Sequence, residues 1–136
     1  MTKMLQLEKL EGVGNVQMTE ADIPAPASDE VQIKVRRSLI SRGSELFRRY
    51  VMPEAVPTRM MGYSDAGDVT AVGTAITDVS LGERSNLSGP HAQYAVGQHG
   101  TIPDTLDYET ATFIGLATSA TMWARTTPIE PGEDVV

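Results

Sequence analysis

The chain has 136 residues, of which 40% are hydrophobic, and a formal net charge of −7. It suits one globular domain, residues 1–136, large enough to bury roughly 65–70% of the surface that its unfolded chain would expose. The absence of cysteine excludes disulfides and thiolate metal sites, and two histidines make a structural zinc centre unexpected. The acidic charge disfavours nucleic acid as a partner.

No apolar run approaches the roughly 20 residues needed to cross a bilayer. The first eight residues lack the long apolar stretch of a secretory signal. We therefore predict a cytoplasmic protein without a membrane partner.

Most of the chain is predicted to form strands. Residues 23–30 contain two prolines and read as an extended lead-in and turn. Residues 31–36 then alternate apolar and polar side chains, which is typical of a half-buried strand. Residues 66–73 carry β-branched side chains between glycines, residues 79–84 end in a turn, and short strands continue through 91–96. This spacing favours a small barrel or sandwich over a βαβ chain.

Two segments are predicted to be helical. Residues 43–50 form a short helix that Ser44 could cap. Residues 106–114 open with Asp107 before an apolar stretch, and this helix continues to Ala124, before Pro128. The last six residues read as a turn followed by the first two residues of a buried strand, so we expect the parent protein to continue beyond them.

Basic residues are concentrated in residues 34–59, which carry seven of them against two acids, a local net charge of +5. One interpretation is a solvated strand and helix surface with ordinary ion pairs. The other is a face that meets an anionic ligand. The basic residues are Lys34, Arg36, Arg37, Arg42, Arg48, Arg49 and Arg59.

Several short motifs occur in a distinctive order along nearly the whole chain. They are Pro-Ala-Pro at 24–26, the strand at 30–35, Ile-Ser-Arg-Gly-Ser-Glu at 40–45, the glycine-flanked stretch 61–73, Leu-Gly-Glu-Arg at 81–84, and segments 94–96, 102–104 and 108–124. Their order and spacing resemble the amino-terminal, GroES-like catalytic domain of the medium-chain dehydrogenase/reductase superfamily, the zinc alcohol dehydrogenases and quinone reductases.

This resemblance implies a mainly β fold with a few helices, a GroES-like, partly open β-barrel. In the family, such a domain is followed by a Rossmann domain with the dinucleotide-binding glycine motif. That domain is absent from this chain. Gly12-Val13-Gly14 is the nearest candidate, yet it neither follows a predicted strand nor opens a helix.

The chain departs from the family at the zinc ligands. Either Ser41 or Arg42 stands where zinc-dependent members have a cysteine, and Tyr63 and Ser64 follow Gly62, where those members have a histidine, often with a glutamate. Arginine cannot bind zinc, and neutral hydroxyls are poor ligands. The short segment 84–90, expected to be a turn, replaces the cysteine-rich structural zinc lobe. The resemblance therefore implies a zinc-independent member.

Without a Lewis acid, a carbonyl or enone that accepts hydride needs donors or cations near its developing oxyanion. The candidates are Tyr63, Ser44 and Arg42. Ser44 matches the hydroxyl that begins a proton relay in alcohol-oxidising relatives, but it could simply cap the helix. Tyr63 could simply pack on a barrel rim. Arg42 could meet a cofactor phosphate or an acidic substrate, or pair with Glu45 or Glu54.

Further positions carry weaker predictions. The resemblance implies that Thr118 or Ser119 contacts the nicotinamide, and the alternative is a small packing residue in a helix. His91 and His99 could titrate near neutrality, but their flanks indicate exposed loops and argue against catalysis. Asp65 reads as a turn or surface acid.

The leading hypothesis is a zinc-independent, NAD(P)-dependent oxidoreductase, of which this chain is the catalytic domain. Hydride would move between nicotinamide and a carbonyl, alcohol or activated alkene. Its partners would be a small-molecule substrate, the missing Rossmann domain and, in the full-length protein, a second copy in a homodimer. The alternative is a non-catalytic GroES-like barrel that binds a ligand or protein. An oligomerising chaperonin-like module is a third hypothesis, disfavoured by the helix over 108–123.

Overall fold

The fold consists of two antiparallel sheets and a few helices. The computed structural model describes residues 2–127, 130 and 132–134, so the predicted final strand at Val135 and Val136 lies outside them. The strands are β1 (Lys3–Lys9), β2 (Val16–Asp22), β3 (Val31–Ser38), β4 (Asp65–Val72), β5 (Arg84–Leu87), β6 (Tyr94–Gly97) and β7 (His99–Thr101). The helices are a π-helix (Arg42–Tyr50), a 3₁₀ turn (Thr58–Met60), α1 (Tyr108–Ala111) and α2 (Ile114–Thr126).

The larger sheet has five strands in the order β6-β3-β4-β5-β7. The predicted alternation in β3 is confirmed, because Val31 and Ile33 are fully buried while Lys34 is exposed. These two side chains pack with Val69, Leu87 and Ala95 to form the main core. The ladder between β3 and β4 shifts register twice, between residues 32 and 33 and between 35 and 37. Such bulges twist a strand and redirect its last side chains.

The smaller sheet is the hairpin of β1 and β2, which sequence reasoning did not predict. Lys9, at the end of β1, is completely buried. Its ammonium group donates to the carbonyl oxygens of Leu10, Gly12 and Glu54, at 2.5, 2.8 and 3.0 Å. Three acceptors match the three N–H donors of a lysine, which lets the charge be buried without a carboxylate. Lys9 thereby joins the hairpin to the segment after the π-helix.

Both predicted helices are present with changed details. Asp107 caps α1 as expected, accepting from the Thr110 amide at 2.6 Å. Thr112 and Phe113 separate α1 from α2, so the predicted continuous helix has two parts. The first predicted helix is a π-helix over Arg42–Tyr50. π-helical turns are rare and often occur at functional sites.

The predicted fold class is confirmed as mainly β with a few helices. Every pairing between the strands of the described residues is antiparallel, as expected for a GroES-like domain without a Rossmann unit. The sheets stay open and do not close into a barrel within this part of the chain. The segment 84–90 is not simply a turn, because its first four residues form β5 and pair with both β4 and β7. None of the helices described is long and apolar enough to cross a membrane.

Candidate functional site

The first turn of the π-helix carries two of the predicted catalytic residues. Ser41 caps this helix, since its hydroxyl oxygen accepts from the Ser44 amide at 3.2 Å. The Glu45 carboxylate accepts from the Ser41 amide at 2.6 Å, which completes a reciprocal cap. The interpretation of Ser44 as the cap is therefore wrong by three positions. Its side chain is exposed and carries no capping role.

Arg42 lies beside Ser44 in the same turn and is also exposed. The simple interpretation that Arg42 pairs with Glu45 or Glu54 is wrong. The Glu45 carboxylate is fully buried and bonded to His91, and no salt bridge in the described part of the chain joins Arg42 to Glu54. Arg42 and Ser44 thus lie in one turn, and both are exposed to solvent. Each side chain can donate to an anion or to an oxygen that gains negative charge.

Tyr63 lies in the loop before β4. It is half-buried and follows Gly62, whose φ of +118° is favoured only for glycine. A Cβ added at Gly62 would meet the His91 amide nitrogen at 2.7 Å, so the loop before Tyr63 is packed directly against the loop that holds His91. The His91 amide also donates to the Met61 carbonyl at 2.6 Å.

A buried polar cluster lies beneath these residues. His91 bridges β3 and the π-helix: its Nδ1 lies 2.5 Å from the Ser38 hydroxyl and its Nε2 2.9 Å from a Glu45 carboxylate oxygen. The imidazole is only 9% exposed. The prediction that His91 and His99 sit in exposed loops is therefore wrong for both, because His99 is the first residue of β7 and its side chain is 13% exposed. The glycine and proline before His91 mark a loop, but this loop turns inward against β3 and the helix.

Asp65 completes the cluster and also corrects the sequence-based interpretation. It is the first residue of β4, opposite Ser38 in the ladder, and is fully buried rather than on the surface. Neither of its carboxyl oxygens has a hydrogen-bond partner among the described residues. Burial raises the pKa of Asp65 to about 7; the Ser38 hydroxyl partly opposes this and the Glu45 carboxylate adds to it.

The two predicted nicotinamide contacts lie elsewhere, on α2. The Thr118 and Ser119 hydroxyls donate back to the carbonyls of Ile114 and Gly115 in the same helix, at 2.8 and 3.1 Å. No α2 residue is fully buried, and large apolar side chains along it are exposed, among them Leu116, Met122 and Trp123. A groove of about 560 Å³ runs along one side of α2 and includes Thr118.

The residues at the family's zinc positions do not fit a metal. The Ser41 oxygen caps the π-helix, and the buried Ser64 hydroxyl donates to the Thr112 carbonyl. Arg42 and Tyr63, the remaining two, offer a cation and a neutral phenol. In the part of the chain that the structure describes, no three histidine, aspartate or glutamate side chains are grouped as metal ligands would be.

His91 bonds to Glu45, in the helix that carries Arg42 and Ser44, and its amide bonds to Met61, two residues before Tyr63. Thr118 and Ser119 lie on a different helix, α2, and the assignment of all five residues stays a prediction. Sequence reasoning missed the roles of His91 and Asp65. A usable signal was present for Asp65, because an acid at the start of a strand that otherwise reads as core must be buried or strained. For His91 the sequence offered no comparable signal, since its partners Ser38 and Glu45 are 53 and 46 positions away.

The chain is similar in sequence and in structure to several known proteins. L-threonine 3-dehydrogenase of Thermococcus kodakarensis is 29% identical over 85 residues, which cover 60% of this chain and 24% of that enzyme. The human synaptic vesicle membrane protein VAT-1 homolog-like protein superposes with a TM-score of 0.78 and 17% identity over 96% of this chain and 46% of its own. Escherichia coli quinone oxidoreductase, solved with NADPH, gives a TM-score of 0.70 and 19% identity over 97% and 43%.

The chain has the fold of the GroES-like domain of medium-chain dehydrogenases/reductases. The predicted resemblance is confirmed at this level. No family model matches the chain. The chain spans less than half the length of the solved structures and about a quarter of the threonine dehydrogenase.

Proposed function

We propose that this chain is the substrate-side domain of an NAD(P)-dependent oxidoreductase that moves hydride between nicotinamide and a carbonyl, alcohol or activated alkene. The observation that carries the proposal is the superposition of nearly the whole chain on oxidoreductases, one of them solved with NADPH. The solvent-facing turn with Arg42 and Ser44 supplies the polar groups that such a reaction needs. A cytoplasmic location stays a prediction from the sequence.

In this proposal, the chain contributes electrostatics and orientation, while bound NAD(P) supplies the hydride chemistry. Arg42, Ser44 and Tyr63 donate to the substrate oxygen as it gains charge, and Arg42 also meets an anionic group of the cofactor or substrate. Thr118 and Ser119 border the nicotinamide from α2. The bulk of the dinucleotide needs other residues, because Gly12 and Gly14 belong to the turn between the antiparallel strands β1 and β2 and not to a phosphate-binding loop.

We further propose that the enzyme works without zinc. The support is the chemistry at the four ligand positions, where two hydroxyls are already used in protein hydrogen bonds. The chain, purified in zinc-containing buffer and then dialysed, should hold well below one zinc per molecule by elemental analysis. One tightly held zinc per chain would contradict this proposal.

The test of function uses the protein from the complete parent reading frame, with residues 1–136 in their natural context. Arg42→Ala should weaken cofactor or substrate binding by about 10- to 100-fold, the range for a lost charge-assisted hydrogen bond. Arg48→Ala is the matched control, because Arg48 is exposed on the same helix outside its first turn. Its effect should stay within about twofold.

Hydride transfer is followed through the absorbance of NAD(P)H, with a quinone, an enone and a primary alcohol as trial substrates. Loss of binding in Arg42→Ala but not in Arg48→Ala supports the assignment. Equal behaviour of the two variants removes Arg42 from the site and leaves Tyr63 and Ser44. A full-length protein that neither binds nor oxidises a nicotinamide would favour the alternative, a non-catalytic ligand- or protein-binding module.

The 136-residue chain alone should neither bind a dinucleotide tightly nor turn over substrate. A site shared between two domains loses both contacts and orientation when one domain is removed. Calorimetry that reported a micromolar complex of NADPH with this chain would contradict the expectation.

A further inference from the structure

Lys9 is a completely buried lysine whose nitrogen is surrounded by backbone carbonyls. Its Nζ donates to the carbonyl oxygens of Leu10, Gly12 and Glu54, at 2.5, 2.8 and 3.0 Å. No carboxylate pairs with it in the described part of the chain. Lysine is almost never fully buried without a pairing partner, because its charge loses the hydration of bulk water. The carbonyls must therefore compensate for that loss.

The number of contacts identifies the form of this side chain. An ammonium group has three N–H donors and no acceptor, so it can satisfy three carbonyl oxygens. A neutral amine has two N–H donors, and its lone pair would point at the third oxygen. The geometry around Lys9 therefore fits the ammonium form, and each of its three hydrogens has an acceptor.

The hairpin turn between β1 and β2 contacts the residues that follow the π-helix. We call residues 50–56 the connecting segment. Besides the bond from Lys9 Nζ to the Glu54 carbonyl, three backbone bonds join the hairpin to this segment. The amides of Gly12, Gly14 and Val56 donate to the carbonyls of Pro53, Tyr50 and Lys9, at 2.7, 2.8 and 3.0 Å. The Nζ bond is made by a side chain, so a single substitution removes it and leaves the three backbone donors in place.

The connecting segment joins two parts of the chain that carry predicted catalytic residues. It begins at the last residue of the π-helix, whose first turn carries Arg42 and Ser44. It leads into the 3₁₀ turn, and Tyr63 comes shortly after that turn. The Arg49 side chain donates to the Met60 carbonyl, so the last turn of the π-helix and the 3₁₀ turn are also in direct contact. A shift of the connecting segment would therefore change the spacing between the π-helix and Tyr63.

We propose that Lys9 is a positioning residue, whose buried ammonium fixes the connecting segment and thereby the spacing between the π-helix and Tyr63. Calling these two parts a catalytic site rests on the proposed function. The attachment of the connecting segment to Lys9 rests on the contacts alone. Lys9 touches neither substrate nor cofactor and acts only through the connecting segment.

The first test is an NMR measurement on the wild-type 136-residue chain. The Lys9 ammonium should give a side-chain signal that exchanges slowly with water, with couplings across its hydrogen bonds to the carbonyl carbons of residues 10, 12 and 54. This measurement needs no variant, so it does not depend on whether a substituted chain folds. A Lys9 nitrogen that exchanges as fast as that of the exposed Lys3 would overturn the proposal.

The second test is chemical rescue of Lys9→Ala in the same chain. Backbone amides of residues 50–63 should shift in this variant. n-Propylammonium chloride should return them toward their wild-type positions in a saturable manner, because this ion matches the atoms that the substitution removes. Tetramethylammonium chloride at the same ionic strength should not, since it has no N–H donor. Equal behaviour of Lys9→Ala in the two salts, folded or unfolded, would overturn the proposal.

Lys3→Ala is the matched control for this rescue. Lys3 lies at the other end of β1, is exposed, and pairs with Asp22 at 2.8 Å. Its removal should leave the amides of residues 50–63 unchanged. Shifts in this region as large as those of Lys9→Ala would show that the loss of any β1 lysine disturbs the connecting segment, which would contradict a specific role of Lys9.

The third test separates positioning from stability in the full-length protein, with the quinone, enone or alcohol that the wild type turns over. Lys9→Met should lower kcat/KM per folded molecule by about 10- to 100-fold, as expected when reacting groups are displaced. Ile33→Val lowers stability in the core of the larger sheet, away from the connecting segment, and should keep kcat/KM within about twofold.

Equal kcat/KM values for folded Lys9→Met and Ile33→Val would show that Lys9 only stabilises the chain, and would overturn its positioning role. The outcome is separate from that of the proposed function. A slowly exchanging Lys9 ammonium and a successful rescue in a parent protein without oxidoreductase activity would support the attachment of the connecting segment and contradict the proposed function.

Discussion

The polar cluster beneath the π-helix and the surface of α2 both depart from the usual distribution of side chains. The cluster buries charged residues, and α2 exposes large apolar ones. The first buries Glu45 and Asp65 completely. The second leaves Met122 56% exposed and Trp123 66% exposed. Buried ionisable groups and exposed large apolar groups are both informative, because each is unfavourable unless something compensates for it. Under the π-helix, the compensation is inside the chain: Glu45 is hydrogen-bonded to the Ser41 amide and to His91, and burial raises the pKa of Asp65, which favours its neutral form.

On α2 the described residues contain no such compensation. The solved structures that match are more than twice as long as this chain, so an α2 covered by a further domain is consistent with the proposed function. We therefore expect substitutions in the polar cluster to change the free energy of unfolding of the chain. Substitutions on the apolar surface of α2 should change it little until a partner covers that surface. Four substitutions test this contrast.

The largest effect is expected at Asp65. Its pKa of about 7 in the folded chain lies above its usual 3.8, so the folded state holds a proton that the unfolded state has lost between these values. Stability is therefore highest below about pH 4 for this group and falls as the pH rises through 7. The difference corresponds to roughly 4 kcal/mol, at 1.36 kcal/mol for each pH unit.

Asp65→Asn removes this contribution. Relative to the wild type, the variant should gain unfolding free energy from about pH 4 to about pH 7 and show a constant difference above that, measured by urea denaturation at each pH. Other acids titrate over the same range, so only the difference between the two proteins is diagnostic. A difference that stays constant with pH would mean that Asp65 is ionised in the folded chain.

The second substitution addresses the connection between the two regions. The buried Ser64 hydroxyl donates to the Thr112 carbonyl, which ties the residue before β4 to the junction of α1 and α2. Ser64→Ala should cost about 1–3 kcal/mol of unfolding free energy, because it leaves a buried carbonyl without this donor. Ser88→Ala, at an exposed serine, is the control and should be neutral. Equal costs for both would show that the hydroxyl contributes nothing.

A third, smaller effect distinguishes the cap of the π-helix from its neighbour. Ser41→Ala should cost about 0.5–2 kcal/mol, the range for a lost N-cap, since Ser41 accepts from the Ser44 amide. Ser44→Ala should cost less than about 0.5 kcal/mol, because its side chain is exposed. Thermal unfolding of the two variants measures the contrast. A larger loss of stability in Ser44→Ala than in Ser41→Ala would show that Ser44 caps the helix.

The smallest effect is expected on α2. Met122→Gln should change the stability of the 136-residue chain by no more than about 0.5 kcal/mol, because the methionine is largely exposed. In the full-length protein the same change should be destabilising if a further domain covers α2, by the lost burial of an apolar side chain. Comparable small effects in both contexts would show that this surface stays in solvent.

Much of the fold could be predicted because the strands and helices follow from local sequence patterns and from the order of motifs along the chain. The alternation in residues 31–36 predicted the buried Val31 and Ile33, and Asp107 before an apolar stretch predicted the cap of α1. The hairpin of β1 and β2 was missed, since its core-facing alternation is weak and its buried charged residue, Lys9, reads as solvent-exposed in sequence. Arg42 and Ser44 are exposed, so both side chains are accessible to a ligand.

The sequence by itself determined the mainly β architecture, the resemblance to the medium-chain superfamily and the unsuitability of four positions for zinc, because each depends on residue type and spacing. Only the tertiary structure decided that Asp65 and His91 are buried, that Ser41 rather than Ser44 caps the helix, and that Glu45 bonds to His91 rather than to Arg42. The two bonds of His91 join it to residues 53 and 46 positions away, and Asp65 is buried by its place in the sheet. The ionisation of a side chain depends on what surrounds it in space, and no local pattern records those neighbours.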